Sequence, residues 1–360
     1  MLKNKSVDET MRAHRNLLLP TVAAIAFATF MTTAVAQDRP SYDGFNEGRF
    51  LRLLNAHEDE IDAVPRIGLS FGERPIRAVI DSGSTGVVVA ARYIPNFDQL
   101  QSIGEGKLTY TSSGRVMRGQ WVITRLALVG QRGARIETEP MPVLAVTNVD
   151  CLETARDCIP TSSPRNIAMV GVGFGREGDR QSQSTPDKNP LLRIATGEGQ
   201  RRRGYVLTRE GVHVGLTGAN TRGDFRFVKL ERRPDGRDWA GVPACISLNG
   251  QMPPACGSML MDTGVSAMFM TVPPEQAGGM ERTLPDGTEV AVRVGNTEHS
   301  SELYRFTVGG DSPLAPEGIH LRVSPTAAFV NTSYHLLNGF DVLYDADGGY
   351  AAFRPRRPPD

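Results

Sequence analysis

One pattern, written twice, constrains this chain more than any other feature of its 360 residues. Residues 77–89 read RAVIDSGSTGVVV, and residues 258–270 read SMLMDTGVSAMFM. Each is an apolar strand running into an aspartate, then a small hydroxyl residue, a glycine and more apolar sequence. A carboxylate at the end of an apolar strand is costly unless its oxygens are hydrogen-bonded. Gly83 and Gly264 let backbone N–H groups approach each carboxyl closely. Ser82 and Thr263 supply hydroxyls that can tie the two loops together. A single Asp-Ser/Thr-Gly describes an ordinary turn. Two copies in matched apolar settings, one in each half of the chain, point to a site that needs both Asp81 and Asp262.

The surrounding text is that of an all-β protein. Its periodicity is close to two, and 38 glycines and 24 prolines supply turns. Strands are expected at PRIGLSFG and RPIRAVIDSG, joined as a hairpin by FGERP, and again at GVVVAARYI, KLTYTS, QWVITRLALVG, MPVLAVTNV and IAMVGVGFG. The second half repeats this grammar in GYVLTREGVHVGLTG, DFRFVKLE, GSMLMDTG, LYRFTVGG and HLRVSPTAAFV. It ends in FDVLYDADGGYAAFRP, a hairpin with a DADGG turn. PLLRIATG and FDVLYD have room for short helices, and residues 176–188 read as a surface loop. The repeat is too widely spaced for a solenoid. It predicts two homologous lobes, 64–203 with Asp81 and 204–353 with Asp262, divided near GQRRRGY. Residues 37–63 form a polar, partly acidic approach segment, and 354–360 a tail.

The N-terminus reads as an export signal. Leu17 to Ala36 carries no charge, Lys3, Lys5, Arg12 and Arg15 precede it, and Ala34-Val35-Ala36 is a small-x-small cleavage site. Met11 is the alternative start to Met1. The apolar run is barely long enough to span a bilayer and Pro20 interrupts it, which favours a cleaved leader over a retained anchor. The expected location is the periplasm or the medium, with membrane contact only if the leader stays. In an oxidising compartment, the simplest pairing of the four cysteines is Cys151–Cys158 and Cys245–Cys256. Zinc is the rival, but neither spacing is CxxC and no histidine is close in sequence to either pair. A formal net charge of zero argues against a nucleic-acid partner.

The paired motifs resemble those of the pepsin family of aspartic peptidases, and the resemblance covers most of the chain after the leader. PRIGLSFGERPIRAVIDSGSTG resembles the family's first hairpin and catalytic loop. MVGVGFG, with Gly171 and Gly173, resembles the run behind that loop. GSMLMDTGVS resembles the second catalytic loop, and GFDVLYDADGGYAAFRP the closing strand pair. Tyr110, in LTYTSSGRVMRGQW, stands where the family has its flap tyrosine. The resemblance implies a pepsin-like acid protease fold of two β-barrel-like lobes with a cleft between them. It implies a dyad of Asp81 and Asp262, a Ser82/Thr263 clasp, and donation from Ser84 to the outer oxygen of Asp81. It implies a monomeric endopeptidase acting on polypeptide, with no cofactor and no metal. The alternative is a catalytically weak homologue that binds peptides or a partner protein in the cleft.

Three departures from the family pattern matter, and the first two motivate that alternative. Val265 stands where pepsins usually have threonine, which removes an outer donor from Asp262 and raises its expected pKa. Ser333 lies near where glycine is expected. Val88 replaces a tryptophan that braces the flap tyrosine. The segment 37–63 is also too short and too acidic to act as a pepsin-type pro-segment.

Other motifs have simpler readings. GVGFG at 171–175 lacks the helix of a dinucleotide loop. Asp345, Asp347 and Gly348 fit a hairpin turn better than a calcium site. His57 with Glu58, Asp59 and Glu60 lacks HExxH spacing and reads as an acidic face. No GxSxG is present. Asn331-Thr332-Ser333 has the form of a glycosylation sequon. Arg201 to Arg203 and Arg354 to Arg357 read as solvated charge.

Overall fold

The computed structural model describes residues 39–356, apart from 57–59, 111–112, 156–157, 177–183, 196, 198 and 296–299. The leader, His57 with Glu58 and Asp59, most of the expected 176–188 loop, and the tail from Arg357 onward lie outside the described residues.

β-branched and aromatic runs punctuated by turn residues give strands almost throughout. After β1 (Arg49–Arg52) come nine strands that form one sheet. They are β2 (Arg66–Ser70), β3 (Ile76–Asp81), β4 (Thr85–Ala90), β5 (Ser102–Tyr110), β6 (Arg115–Thr124), β7 (Ala127–Val129), β8 (Arg135–Glu137), β9 (Met141–Cys151) and β10 (Ala168–Val172). β11 (Arg202–Leu207), β12 (Gly211–Leu216) and β13 (Arg226–Lys229) follow. A seven-stranded sheet comes next, from β14 (Val242–Leu248), β15 (Ala255–Leu260), β16 (Met268–Val272), β17 (Glu289–Val294), β18 (Ser301–Thr307), β19 (Ile319–Val323) and β20 (Ala328–Asn331). The hairpin β21 (Phe340–Asp345) and β22 (Tyr350–Pro355) closes the chain. A third sheet has the order β1-β12-β11-β21-β22-β13.

The two larger sheets have the same plan. One contains β9-β4-β10-β3-β2-β7-β8 and the other β19-β16-β20-β15-β14-β17-β18, and neighbours match in sense pair by pair. The first sheet adds only the β5–β6 hairpin at one edge. In each sheet a strand from far downstream inserts beside the aspartate strand. β10 runs parallel to β3 and antiparallel to β4, and β20 does the same between β15 and β16. Spanning an inserted strand means crossing two strand spacings, roughly 9.5 Å. The chain from Asp81 to Thr85 does this as a short loop over the end of β10, and the loop at Asp262 is its counterpart over β20.

Strand alternation explains the layers. Val87 and Val89 face the main core, whereas Val88 turns to the other face and packs with Leu108, Met117, Trp121 and Leu144. That is why β4 is apolar at successive positions: it is covered on both faces. In the six-stranded sheet Tyr205 and Leu207 face the main core, and Val206 faces Tyr42, Phe225 and Phe227. The segment read as a polar approach therefore also contributes a strand, β1, and a buried covering residue, Tyr42.

Several expectations need correction. FDVLYD is strand β21, and the one-turn helix Leu336–Gly339 precedes it. PLLRIATG holds a single 3-10 turn, Pro190–Leu192. The described arginines of the two runs are paired, although Arg203 stays largely exposed beside Asp347 and Arg357 lies outside the described residues. Arg202 grips the fully buried Asp345 through two 2.9 Å bonds, and Arg201 pairs with Glu47. Arg354 and Arg356 share Asp341, at 2.6 and 2.7 Å. β21 carries buried acids on an otherwise apolar strand, and a buried charge requires a hydrogen-bonded counter-charge. Both local cysteine pairs are disulfides; Cys245 and Cys256 face each other across β14 and β15. These bonds are compatible with an exported protein. No helix among the described residues is long and apolar enough to cross a membrane.

Candidate active site

The loops after β3 and β15 meet where the two larger sheets approach each other. Their hydroxyl residues interlock in both directions. The Ser82 amide donates to Thr263 Oγ1 at 2.9 Å, and the Thr263 amide donates to Ser82 Oγ at 3.0 Å. Each hydroxyl then donates across to a carbonyl of the opposite strand end, Ser82 to Met261 and Thr263 to Ile80, both at 2.7 Å. All four groups are buried, so each bond satisfies a donor that water cannot reach.

This clasp sets two carboxyls side by side. Asp81 and Asp262 are 5% and 8% exposed and lie close enough to interact directly. Their inner oxygens accept from the loop glycines: Gly83 N–H to Asp81 Oδ1 at 2.7 Å, and Gly264 N–H to Asp262 Oδ1 at 2.9 Å. The outer oxygen of Asp81 accepts from Ser84 Oγ at 2.6 Å.

The outer oxygen of Asp262 differs from the sequence expectation. Val265 gives it no hydroxyl, yet it is not short of a donor. Asn331, the last residue of β20, donates from Nδ2 to Asp262 Oδ2 at 2.6 Å. The sequon reading of Asn331 fails for the same reason: Asn331, Thr332 and Ser333 are all buried. Ser333 has a left-handed backbone, φ 62°, which a glycine would adopt more readily. Local bonds hold it there. Its N–H donates to Asn331 Oδ1 at 3.1 Å, and its hydroxyl lies 3.2 Å from His335 Nδ1.

Burial, then the negative charge of Asp81, push Asp262 up to about 7; the Asn331 and Gly264 donors work in the opposite direction. The upward shift expected from a missing donor at Val265 therefore has another cause, desolvation and the neighbouring carboxylate.

The β5–β6 hairpin brings Tyr110 to the same place. Its hydroxyl donates to Met169 Sδ at 2.6 Å and lies within hydrogen-bonding reach of Ser84. Burial and the charge of Asp81 hold this phenol far above its usual range. With Val88 turned into the cluster behind, the thioether of Met169 is the group that anchors the tyrosine. β9 runs beside β6 up to the hairpin tip, where Cys151 faces Arg115 and the Leu152 N–H donates to Gly114 O at 2.8 Å. The Cys151–Cys158 disulfide lies at that end.

Asp81, Asp262, Ser82, Thr263, Gly83, Gly264, Ser84 and Tyr110 are thus gathered into one site. The cysteines lie outside it, and Asp345 and Asp347 belong to the Arg202 and Arg203 ion pairs instead. Sequence reasoning missed Asn331 and Met169. The one available signal was the missing hydroxyl at Val265, which leaves an outer oxygen that some other residue must satisfy. No known protein-family profile matches the chain, and no curated protein matches it.

Proposed function

We propose that this chain is an exported, two-lobed aspartic endopeptidase of pepsin-like fold, acting as a monomer on extended polypeptide without a cofactor. The observation that carries the reading is the buried pair Asp81–Asp262, in which each carboxyl has one glycine N–H on its inner oxygen and one side-chain donor on its outer oxygen. Two touching carboxyls cannot both ionise, so the pair holds one proton over a wide pH range. A water between the inner oxygens gives a proton to the ionised member while its oxygen attacks the scissile carbonyl carbon. The protonated member donates to the carbonyl oxygen. Collapse of the resulting gem-diol breaks the C–N bond, and the amine leaves with a proton from the pair. The cleft between the lobes is the natural place for the substrate, with the β5–β6 hairpin as the flap over it.

The upward shift of Asp262 keeps the one-proton form in place toward neutral pH, which suits a periplasmic or extracellular enzyme. The reading of the chain as a weak homologue rested on Val265 and Ser333; the Asn331 donor removes the first ground. The test is cleavage of a mixed peptide library between pH 3 and 7. The mature protein should cleave, pepstatin should block it, and folded Asp81→Asn should be inactive. Absence of cleavage throughout that range would overturn the reading.

A further inference from the structure

Asn331 does something at the dyad that a hydroxyl would not. Ser84, on the outer oxygen of Asp81, can either donate or accept, so it serves that carboxyl in either protonation state. A primary amide has separate donor and acceptor ends. Here its orientation is fixed, because the Ser333 backbone N–H can only donate and meets Asn331 Oδ1 at 3.1 Å. Nδ2 therefore has to face Asp262 Oδ2, and it can only donate. A proton on that outer oxygen would point at N–H hydrogens.

We propose that Asn331 is a positioning residue of the dyad: its locked amide makes Asp262 Oδ2 a permanent acceptor and so confines the shared proton to the inner oxygens, between the two carboxyls. The inference rests on the aspartic-dyad reading of the site. Its consequence is an asymmetric pair, with an adaptable donor on Asp81 and a donor-only group on Asp262. Among the described residues the other titratable groups that face Asp262 are Asp81, Tyr110 on β5 and Tyr344 on β21. Both tyrosines are held neutral by burial, and the charge on Asp81 competes with the amide in setting this proton.

The geometry also says where a substitute donor would work. Val265 stands three residues after Asp262, as Ser84 stands three after Asp81. A hydroxyl at 265 should reach the outer oxygen as Ser84 does.

The experiment is a carboxyl titration by NMR on protein carrying 13C-labelled aspartate, which requires no peptide cleavage, run beside the pH–rate profile. Asn331→Leu should move the Asp262 titration upward by about one pH unit, with kcat reduced roughly tenfold and KM little changed. Asn331→Asp keeps the side-chain shape and the acceptor for Ser333, so it should fold even if the leucine variant does not. It puts a further carboxyl against Asp262 and should shift its titration upward by more. Val265→Thr in the Asn331→Leu background should restore the parental titration, a rescue that a merely structural role for Asn331 does not produce. An Asp262 titration unmoved in both single variants would overturn the proposal. Failure of the parent to cleave peptides would instead overturn the function, and the titration would still decide the role of Asn331.

Discussion

Gly83 lies against the carboxyl of Asp262: a Cβ built on this glycine would fall 2.2 Å from Asp262 Cγ. The reverse contact is nearly as close, with a Cβ on Gly264 falling 2.6 Å from Asp81 Oδ1. Each loop thus leaves a gap the size of one methyl group, and the other loop's carboxyl fills it.

Gly83→Ala should therefore push the Asp262 carboxyl out of register with Asp81. Reacting groups misplaced by about 1 Å lose on the order of a hundredfold in rate. We expect kcat to fall by about that factor with the fold retained, checked by steady-state kinetics beside circular dichroism. Undiminished kcat would show that the two carboxyls do not need this separation.

The clasp should behave as a coupled unit. Ser82→Ala leaves the buried Thr263 amide without an acceptor, and Thr263→Ala does the same to the Ser82 amide. Each should cost about 1–3 kcal/mol. The two hydroxyls also lie 3.3 Å from each other, so the double variant should cost less than the sum of the two, because that shared contact is lost only once. Denaturant unfolding of the four proteins measures this, and strict additivity would exclude the coupling.

Stability should also report on Asp262. Its proton is held more tightly in the folded chain than in the unfolded one, where a carboxyl titrates near 4 (about 3.9). The resulting stabilisation is complete below about pH 4 and is lost as pH rises through the folded value, about 7. Asp262→Asn cannot ionise, so it escapes that loss. At pH 8 the variant should be more stable than the parent, by on the order of a few kcal/mol; near pH 4 the two should be similar. Calorimetry at both pH values tests this, and parallel stability curves would refute it.

Much of this architecture is legible because its determinants are local. β-branched and apolar runs bounded by turn residues marked β2, β3, β4, β9 and β10, and the DADGG turn marked the final hairpin. Cysteines 7 and 11 residues apart in sequence chose their nearest partners. Some strands were obscured. β1 carries two arginines among its four residues, so it reads as polar until Leu51 and Leu53 are seen buried beneath it. β14 and β17 stand out less than the unbroken apolar run of β4, because β14 includes a proline and a disulfide cysteine and β17 a glutamate and an arginine.

What the sequence determined by itself is the pair of Asp-hydroxyl-Gly loops, since a carboxyl, its glycine N–H and its neighbouring hydroxyl lie within a few residues of one another. What the tertiary structure alone decided is which groups complete the shell: Asn331 on Asp262, Met169 on Tyr110, Arg202 on Asp345. The physical reason is that a hydrogen bond asks only for a donor about 3 Å away. In a sheet where β20 inserts beside β15, that donor arrives from 69 residues downstream, and no spacing in the text records it.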